Sequence, residues 1–168
     1  NWNSRIIGSS RANILVYAEK TGWMRFLTRI NRDFGCSVLC LGGFPSALTS
    51  EYTTTALQQE LGQETPVRLI GLVDFDYSGD LIAESFREQL IETGLNVASM
   101  VTLIHPKHYT AEELGMFKIP LPRRQKTKLK AWMKKTDGIG GEAFGLEAES
   151  MPIPRLRRLI EKEILQES

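Results

Sequence analysis

Residues 69–85, LIGLVDFDYSGDLIAES, pass from an apolar run through an acidic turn into a helical pattern. The apolar run is typical of a strand that is buried on both faces of a parallel sheet. Three aspartates follow it: Asp74, Asp76 and Asp80. Because neighbouring carboxylates repel one another, three of them beside a strand end indicate that a cation offsets the repulsion.

The rest of the chain repeats this order of apolar run and helical segment. The apolar runs predict four strands, at residues 13–18, 36–41, 67–73 and 97–104. The clearest helix, at 79–94, has one apolar side made of Leu81, Ile82, Phe86, Leu90 and Ile91. This alternation predicts an α/β fold with a four-stranded, mostly parallel sheet and helices on both faces.

Length and composition indicate one globular domain with an appendage. The chain has 168 residues, of which 42% are hydrophobic, and no apolar run is long enough to span a membrane. Since the strand pattern weakens after residue 105, we expect an N-terminal segment at 1–12, an α/β core at 13–105 and a C-terminal extension at 106–168. The extension should end in a helix at 153–166, whose apolar stripe packs on the body or binds a partner. Because the chain begins with Asn1 rather than methionine, we expect it to be part of a longer protein.

The two cysteines, Cys36 and Cys40, lie on one predicted strand. Residues four apart on a strand are about 13 Å apart, whereas a disulfide needs Cα atoms within about 7 Å of each other. We therefore expect reduced thiols. Such thiols are typical of a cytoplasmic or nucleoid protein, or of a nuclear one in a eukaryote.

A basic tract at residues 118–135 contains eight cations and no acid. The whole chain has 21 basic and 20 acidic residues, so the remainder is acidic, with 13 against 20. A local basic tract on an acidic body predicts contact with a polyanion such as the DNA backbone. The alternative is a solvated helix face. The candidate contact residues are Arg123, Arg124, Lys126, Lys128, Lys130 and Lys134, with Lys126, Lys130 and Lys134 on one helical face.

Acidic residues also follow the first predicted strand. Glu19 comes directly after it, as Asp74 and Asp76 come after the third strand. Ligands bind beyond the carboxyl ends of parallel strands, so these side chains meet if the two strands are neighbours. Carboxylate oxygens without histidine or cysteine suit Mg²⁺ or Mn²⁺. The alternative is structural, with Asp76 or Ser78 capping the helix that follows.

Three segments, ILVYAEKTGWMRFL, CLGGFPS and LVDFDYSGDLIAE, together resemble the Toprim domain of the topoisomerase VI A subunit and its meiotic double-strand-break relatives. The family motifs match Glu19-Lys20, Gly43-Phe44-Pro45 and the turn from Asp74 to Gly79. Tyr77 stands where the family usually has proline. A later acidic stretch matches loosely through Glu147 and Glu149. The resemblance covers about residues 12–165, with its specific part at 14–82.

The resemblance implies a Toprim, Rossmann-like fold that holds Mg²⁺ through Glu19, Asp74 and Asp76. Asp80 would be a neighbour of the ion or a helix-capping group, and Lys20 would contact DNA. In the family, DNA is cleaved by a tyrosine from a separate upstream domain, which is not found in this sequence. The full-length protein would act as a homodimer or with a B-type subunit, away from membranes. Two alternatives stay open: a metal-dependent hydrolytic nuclease, and a non-catalytic α/β module with an acidic pocket.

Overall fold

The computed structural model describes residues 13–166, so the predicted segment at 1–12 lies outside the described residues. Four strands form one sheet in the order β2-β1-β3-β4, and every pairing in it is parallel. They are β1 (Ile14–Ala18), β2 (Ser37–Cys40), β3 (Val67–Leu72) and β4 (Val97–Thr102). The predicted α/β fold with a four-stranded parallel sheet is thus confirmed. The fourth strand ends two residues earlier than predicted, although the next two side chains, Leu103 and Ile104, remain buried.

Between residues 13 and 166 the chain also forms six α-helices and a separate two-stranded ribbon. The helices are α1 (Met24–Phe34), α2 (Ala47–Leu61), α3 (Tyr77–Glu92), α4 (Ala111–Phe117), α5 (Lys126–Thr136) and α6 (Ile153–Leu165). The antiparallel ribbon pairs β5 (Ile119–Pro120) with β6 (Phe144–Gly145). Single turns of 3₁₀ helix occur at Thr21–Trp23, Pro106–His108 and Ala148–Ser150.

Strand β1 shows how the sheet divides the core into two layers. Its side chains alternate, so Ile14, Val16 and Ala18 face one layer while Leu15 and Tyr17 face the other. All five are fully buried, as expected for a strand inside a parallel sheet. The first layer is completed by side chains of α1, α5 and α6, and the second by side chains of α2 and α3. Helices therefore cover both faces.

The C-terminal part of the chain packs into the first layer. Leu156 and Ile160 of the predicted apolar stripe are fully buried there, so α6 packs on the body. Trp132 of α5 is also buried, and its ring lies edge-on to Phe75 with centroids 4.9 Å apart. Residues from 106 onward therefore share the core of the sheet and help to position the turn after β3.

Both cysteines are buried free thiols, as predicted. Burial raises the pKa of Cys36 and of Cys40 to about 11, so neither thiol ionises near neutral pH. No helix between residues 13 and 166 has both the length and the apolar content needed to cross a membrane.

Candidate metal and phosphate site

Strands β1 and β3 are neighbours, with Ala18 opposite Leu72 at their carboxyl ends. The sequence predicts that Glu19 and Asp74 meet if these two strands are neighbours. The structure fulfils this condition, since Glu19 follows β1 directly and Asp74 is the second residue after β3. Lys20 extends from the same strand end, and its Nζ lies 3.5 Å from Asp74 Oδ2.

The Asp74 carboxylate is held from two sides. Its Oδ1 accepts a hydrogen bond of 2.8 Å from the backbone N–H of Ala148, and its side chain is only 18% exposed. Ala148 is brought there by a backbone bridge, in which Phe75 and Leu146 exchange hydrogen bonds of 2.8 and 3.1 Å. The C-terminal segment thus lies across the turn after β3.

The same segment brings Glu149 to the site. Both carboxylate oxygens of Glu149 lie 3.1 Å from Lys20 Nζ, so one ammonium group bridges Asp74 and Glu149. In the sequence, Glu149 is marked only by the loose family resemblance. Glu147, the other acid of that stretch, is exposed, and its backbone carbonyl accepts hydrogen bonds from Ser150.

Asp76 is the N-cap of α3. Its Oδ1 accepts a hydrogen bond of 2.7 Å from the backbone N–H of Gly79, so the predicted capping role is confirmed. Gly79 is required at its position because a Cβ there would collide with the Asp74 carbonyl oxygen. The cap and the close approach of Gly79 together fix Asp74 and Asp76 on one turn.

Asp80 lies in the first turn of α3, where its charge suits the helix dipole. Both of its carboxylate oxygens accept hydrogen bonds from Lys135 Nζ, at 2.8 and 3.0 Å. Lys135 Nζ also lies 3.9 Å from Glu84. Asp80 is therefore occupied by a lysine of α5 and helps to join α5 to α3.

Lys20 forms ion pairs with Asp74 and Glu149, and the carboxylates of Glu19 and Asp76 lie close enough to feel the charge of Asp74. Burial, together with the charge of Asp74, raises the pKa of Glu19 and also that of Asp76, although hydrogen bonding to Gly79 partly opposes the rise for Asp76. Burial alone would lower the pKa of Lys20, but Glu149 and Asp74 outweigh it and raise that pKa. The cluster therefore carries excess negative charge that a further cation would relieve.

The donor chemistry of the cluster fits a hard divalent cation. The oxygen atoms that the cluster offers belong to carboxylates, which hard cations prefer. The Glu19 carboxylate makes no hydrogen bond or ion pair with any residue from 13 to 166. Within that range, no three acidic, histidine or cysteine side chains already surround a common metal position. Lys20 lies among the acids instead, so its ammonium and a metal ion would compete for Asp74.

A cavity of about 330 Å³, here called the carboxylate cavity, opens beside this cluster. It is lined by Asp74, Asp76, Asp80, Glu84, His105, Trp132 and Lys135, among others. His105 was not singled out from the sequence as a residue of this site. Its Nδ1 accepts a hydrogen bond from the backbone N–H of Lys107, and burial lowers its pKa, so the imidazole is neutral near pH 7.

The basic tract divides into several surfaces. Lys126 and Lys130 line one side of α5 together with Arg123, whereas Lys128 and Lys135 face α3. Arg124 lies beside Asp76 in a small cavity, and Lys134 is exposed elsewhere on the helix. Lys126, Lys130 and Lys134 follow one another at four-residue spacing on α5 and are all exposed, and the first two line an open groove between α5 and the β5–β6 ribbon.

The raised pKa values predict how the stability of the metal-free protein depends on pH. A carboxyl group with a raised pKa holds its proton more tightly in the folded state, so folding becomes less favourable as pH rises above the ordinary values of 4.5 for Glu19 and 3.8 for Asp76. Glu19→Gln removes one of these ionisations. In EDTA at pH 7 the variant should melt above the wild type, by about 2–4 °C for each kcal/mol of repulsion relieved. The two melting temperatures should converge below pH 4.5; a constant difference from pH 4 to pH 8 would contradict the assignment.

The turn after β3 thus joins strand ends, a helix cap and the C-terminal segment around one acidic cluster. Its carboxylate oxygens are the type of donor that hard divalent cations prefer. Comparisons of the chain with protein-family models, with curated proteins and with solved structures found no match.

Proposed function

We propose that this chain is a Toprim-type domain that binds Mg²⁺ or Mn²⁺ and supports phosphodiester cleavage in DNA by a topoisomerase VI A-like protein. The convergence of Glu19 with Asp74 and Asp76 at two adjacent strand ends supports the proposal most strongly. The three positions match the family motifs, and the carboxylates share an excess of negative charge. The cleaving tyrosine would come from outside this chain.

Each acidic residue has a distinct part in this proposal. Asp74 is oriented by Ala148 and Asp76 by Gly79, so both present carboxylate oxygens from a fixed turn. When bound, the ion would neutralise a phosphodiester oxygen and stabilise the attacking or leaving oxygen. No residue from 13 to 166 forms a hydrogen bond or an ion pair with the Glu19 carboxylate, and its pKa is raised by burial and by Asp74, which suits it to exchange a proton with the 3′ oxygen of the cleaved strand.

DNA would approach across the cationic side of the site. Lys20 lies inside the cluster, and Arg124 lines a cavity together with Asp76. Arg123, Lys126, Lys128, Lys130 and Lys134 would contact the backbone further along. We further propose that the full-length protein acts as a homodimer or with a B-type subunit, in the cytoplasm or nucleoid or, in a eukaryote, in the nucleus.

Hydrolysis is the second candidate reaction, and one observation favours it for this chain acting alone. Tyr17 is fully buried with its hydroxyl on Met100 Sδ, and Tyr109 is buried with its hydroxyl on Ser150, so neither presents a nucleophile. The neutral imidazole of His105 lines the carboxylate cavity, and because its Nδ1 accepts a hydrogen bond from Lys107, its Nε2–H is a donor for a water or a phosphate oxygen. Metal-dependent nicking of a supercoiled plasmid by this chain alone would favour hydrolysis over transesterification.

Thermal unfolding with and without metal tests the proposed site. A ligand at 100 times its Kd stabilises the folded state by about 2.7 kcal/mol, which corresponds to a rise of about 5–10 °C in melting temperature. We expect Mg²⁺ and Mn²⁺ to produce such a rise in the wild type and none in Asp74→Asn, which removes a carboxylate from the site and keeps an acceptor for the Ala148 N–H. The matched control is Glu51→Gln, which removes an exposed carboxylate from α2 and should respond like the wild type. Equal rises in all three proteins would place the ion elsewhere.

A further inference from the structure

An open groove, here called the α5 groove, lies between α5 and the β5–β6 ribbon and measures about 660 Å³. Its apolar lining comes from Leu121, Leu129, Met133, Ala143 and Phe144. Arg123, Lys126 and Lys130 add three exposed cations, against a single acid, Glu142. The groove thus combines an apolar surface with a cationic edge.

The cations of the α5 groove are not engaged with acids of the protein. Among residues 13–166, no carboxylate lies within ion-pair distance of Arg123, Lys126 or Lys130. Lys135, on the same helix, differs because it is paired with Asp80. Three unpaired cations beside an apolar groove fit a ligand that carries several anionic groups and an apolar or aromatic part.

A smaller cavity of about 180 Å³ lies between the α5 groove and the carboxylate cavity and adjoins both. Asp76 lines both the carboxylate cavity and this smaller one, and Leu121 lines both the smaller one and the groove. Arg124 lies in the connecting cavity. Arg124 thus lies between the acidic cluster and the cations of the α5 groove.

We propose that the α5 groove binds an unpaired segment of a nucleic-acid strand, with bases on the apolar surface and phosphates on Arg123, Lys126 and Lys130. Grooves of this kind, cationic with apolar or aromatic contacts for the bases, are typical of single-strand binding. A duplex does not offer its base faces, because they are stacked within the helix. The choice of a nucleic acid over an acidic peptide rests on the proposed function, since the α5 groove lies close to the acidic cluster where that function places a phosphodiester.

Fluorescence anisotropy with labelled oligonucleotides of about twelve nucleotides tests the proposal in EDTA, where the metal site makes no contribution. The probes are oligo(dT), an abasic strand with the same number of phosphates, a duplex of the same length and an acidic peptide with aromatic residues. We expect oligo(dT) to bind about tenfold or more tightly than the abasic strand and than the duplex. The acidic peptide should bind more weakly than oligo(dT).

Charge reversal locates the binding on the protein. In Lys126→Glu/Lys130→Glu, the slope of log K against log salt for oligo(dT) should become shallower by about 1.4 or more, that is, about 0.7 for each phosphate that is no longer neutralised. The matched control is Arg25→Glu/Arg29→Glu, which makes the same change at the same spacing on exposed positions of α1. Helix α1 packs on β2 and α6 and contributes no residue to the lining of the α5 groove. The control should keep the wild-type slope.

Four results would each overturn the proposal. Equal binding of the abasic strand would show contact with phosphates alone, and equal binding of the duplex would exclude a requirement for unpaired bases. Tighter binding of the peptide would make the groove a protein-binding site. An equal change of slope in both double variants would show a diffuse charge effect. Binding to oligo(dT) as expected, without any thermal response to Mg²⁺, would retain the groove and refute the metal-dependent function.

Discussion

Gly79→Ala is expected to lower the free energy of unfolding by about 2–4 kcal/mol. A Cβ at this position would collide with the Asp74 carbonyl oxygen and come within 3.0 Å of the Asp74 carbonyl carbon. Both are backbone atoms, so the clash is relieved only if the turn after β3 separates from the first turn of α3. Urea denaturation of the metal-free protein measures the change.

Gly115→Ala is the control for this substitution. Gly115 lies within α4, and a Cβ there would meet no atom within 4 Å. Alanine favours a helix more than glycine does, so this variant should be more stable than the wild type by up to about 1 kcal/mol. If Gly79→Ala proved as stable as the wild type, the turn would be adaptable and the fixed geometry of Asp74 and Asp76 would be refuted.

Two substitutions of Asp76 should separate its capping role from its metal role. Asp76→Ala removes the side-chain acceptor for the Gly79 N–H, so we expect a loss of about 1 kcal/mol in the free energy of unfolding. Asp76→Asn keeps an acceptor and removes the charge whose pKa is raised, so its metal-free stability should equal or exceed that of the wild type. Both variants should lose affinity for Mg²⁺ by about 10-fold to 100-fold in calorimetric titration.

The comparison between the two variants shows whether Asp76 binds the metal, caps α3, or does both. If Asp76→Asn kept the wild-type affinity for Mg²⁺, Asp76 would be a helix cap alone. If both variants were as stable as the wild type, the hydrogen bond to Gly79 would contribute little to folding. Only a loss of metal binding in both, with a loss of stability in Asp76→Ala alone, agrees with the two roles together.

The local elements were predictable because their signals are local. Continuous apolar runs marked the buried strands, and the spacing of Phe86 and Leu90 marked α3. The fourth strand was predicted too long because Leu103 and Ile104 continue the apolar run and stay buried after the strand has ended. A buried apolar run therefore does not always end where the strand ends, and at β4 it continues for two residues.

The assembly of the site depended on contacts that no local pattern reveals. Glu19 and Asp74 meet only because β1 pairs with β3, and sequence spacing leaves the strand order open. Glu149 arrives through the backbone bridge between Phe75 and Leu146, which are far apart in the sequence. Likewise, composition identified the basic tract, but the packing of Leu129 and Trp132 decides which lysines face the α5 groove.

The position of a bound ion is the most direct test that Glu19, Asp74 and Asp76 form one metal site. Crystals of the chain grown with Mn²⁺ would show the ion in an anomalous difference map. We expect a peak about 2.0–2.3 Å from carboxylate oxygens of Asp74 and of at least one of Glu19 and Asp76, with Lys20 displaced from Asp74. No peak at this position, with Lys20 still bridging Asp74 and Glu149, would show that the cluster is held together by its own lysine and is not a metal site.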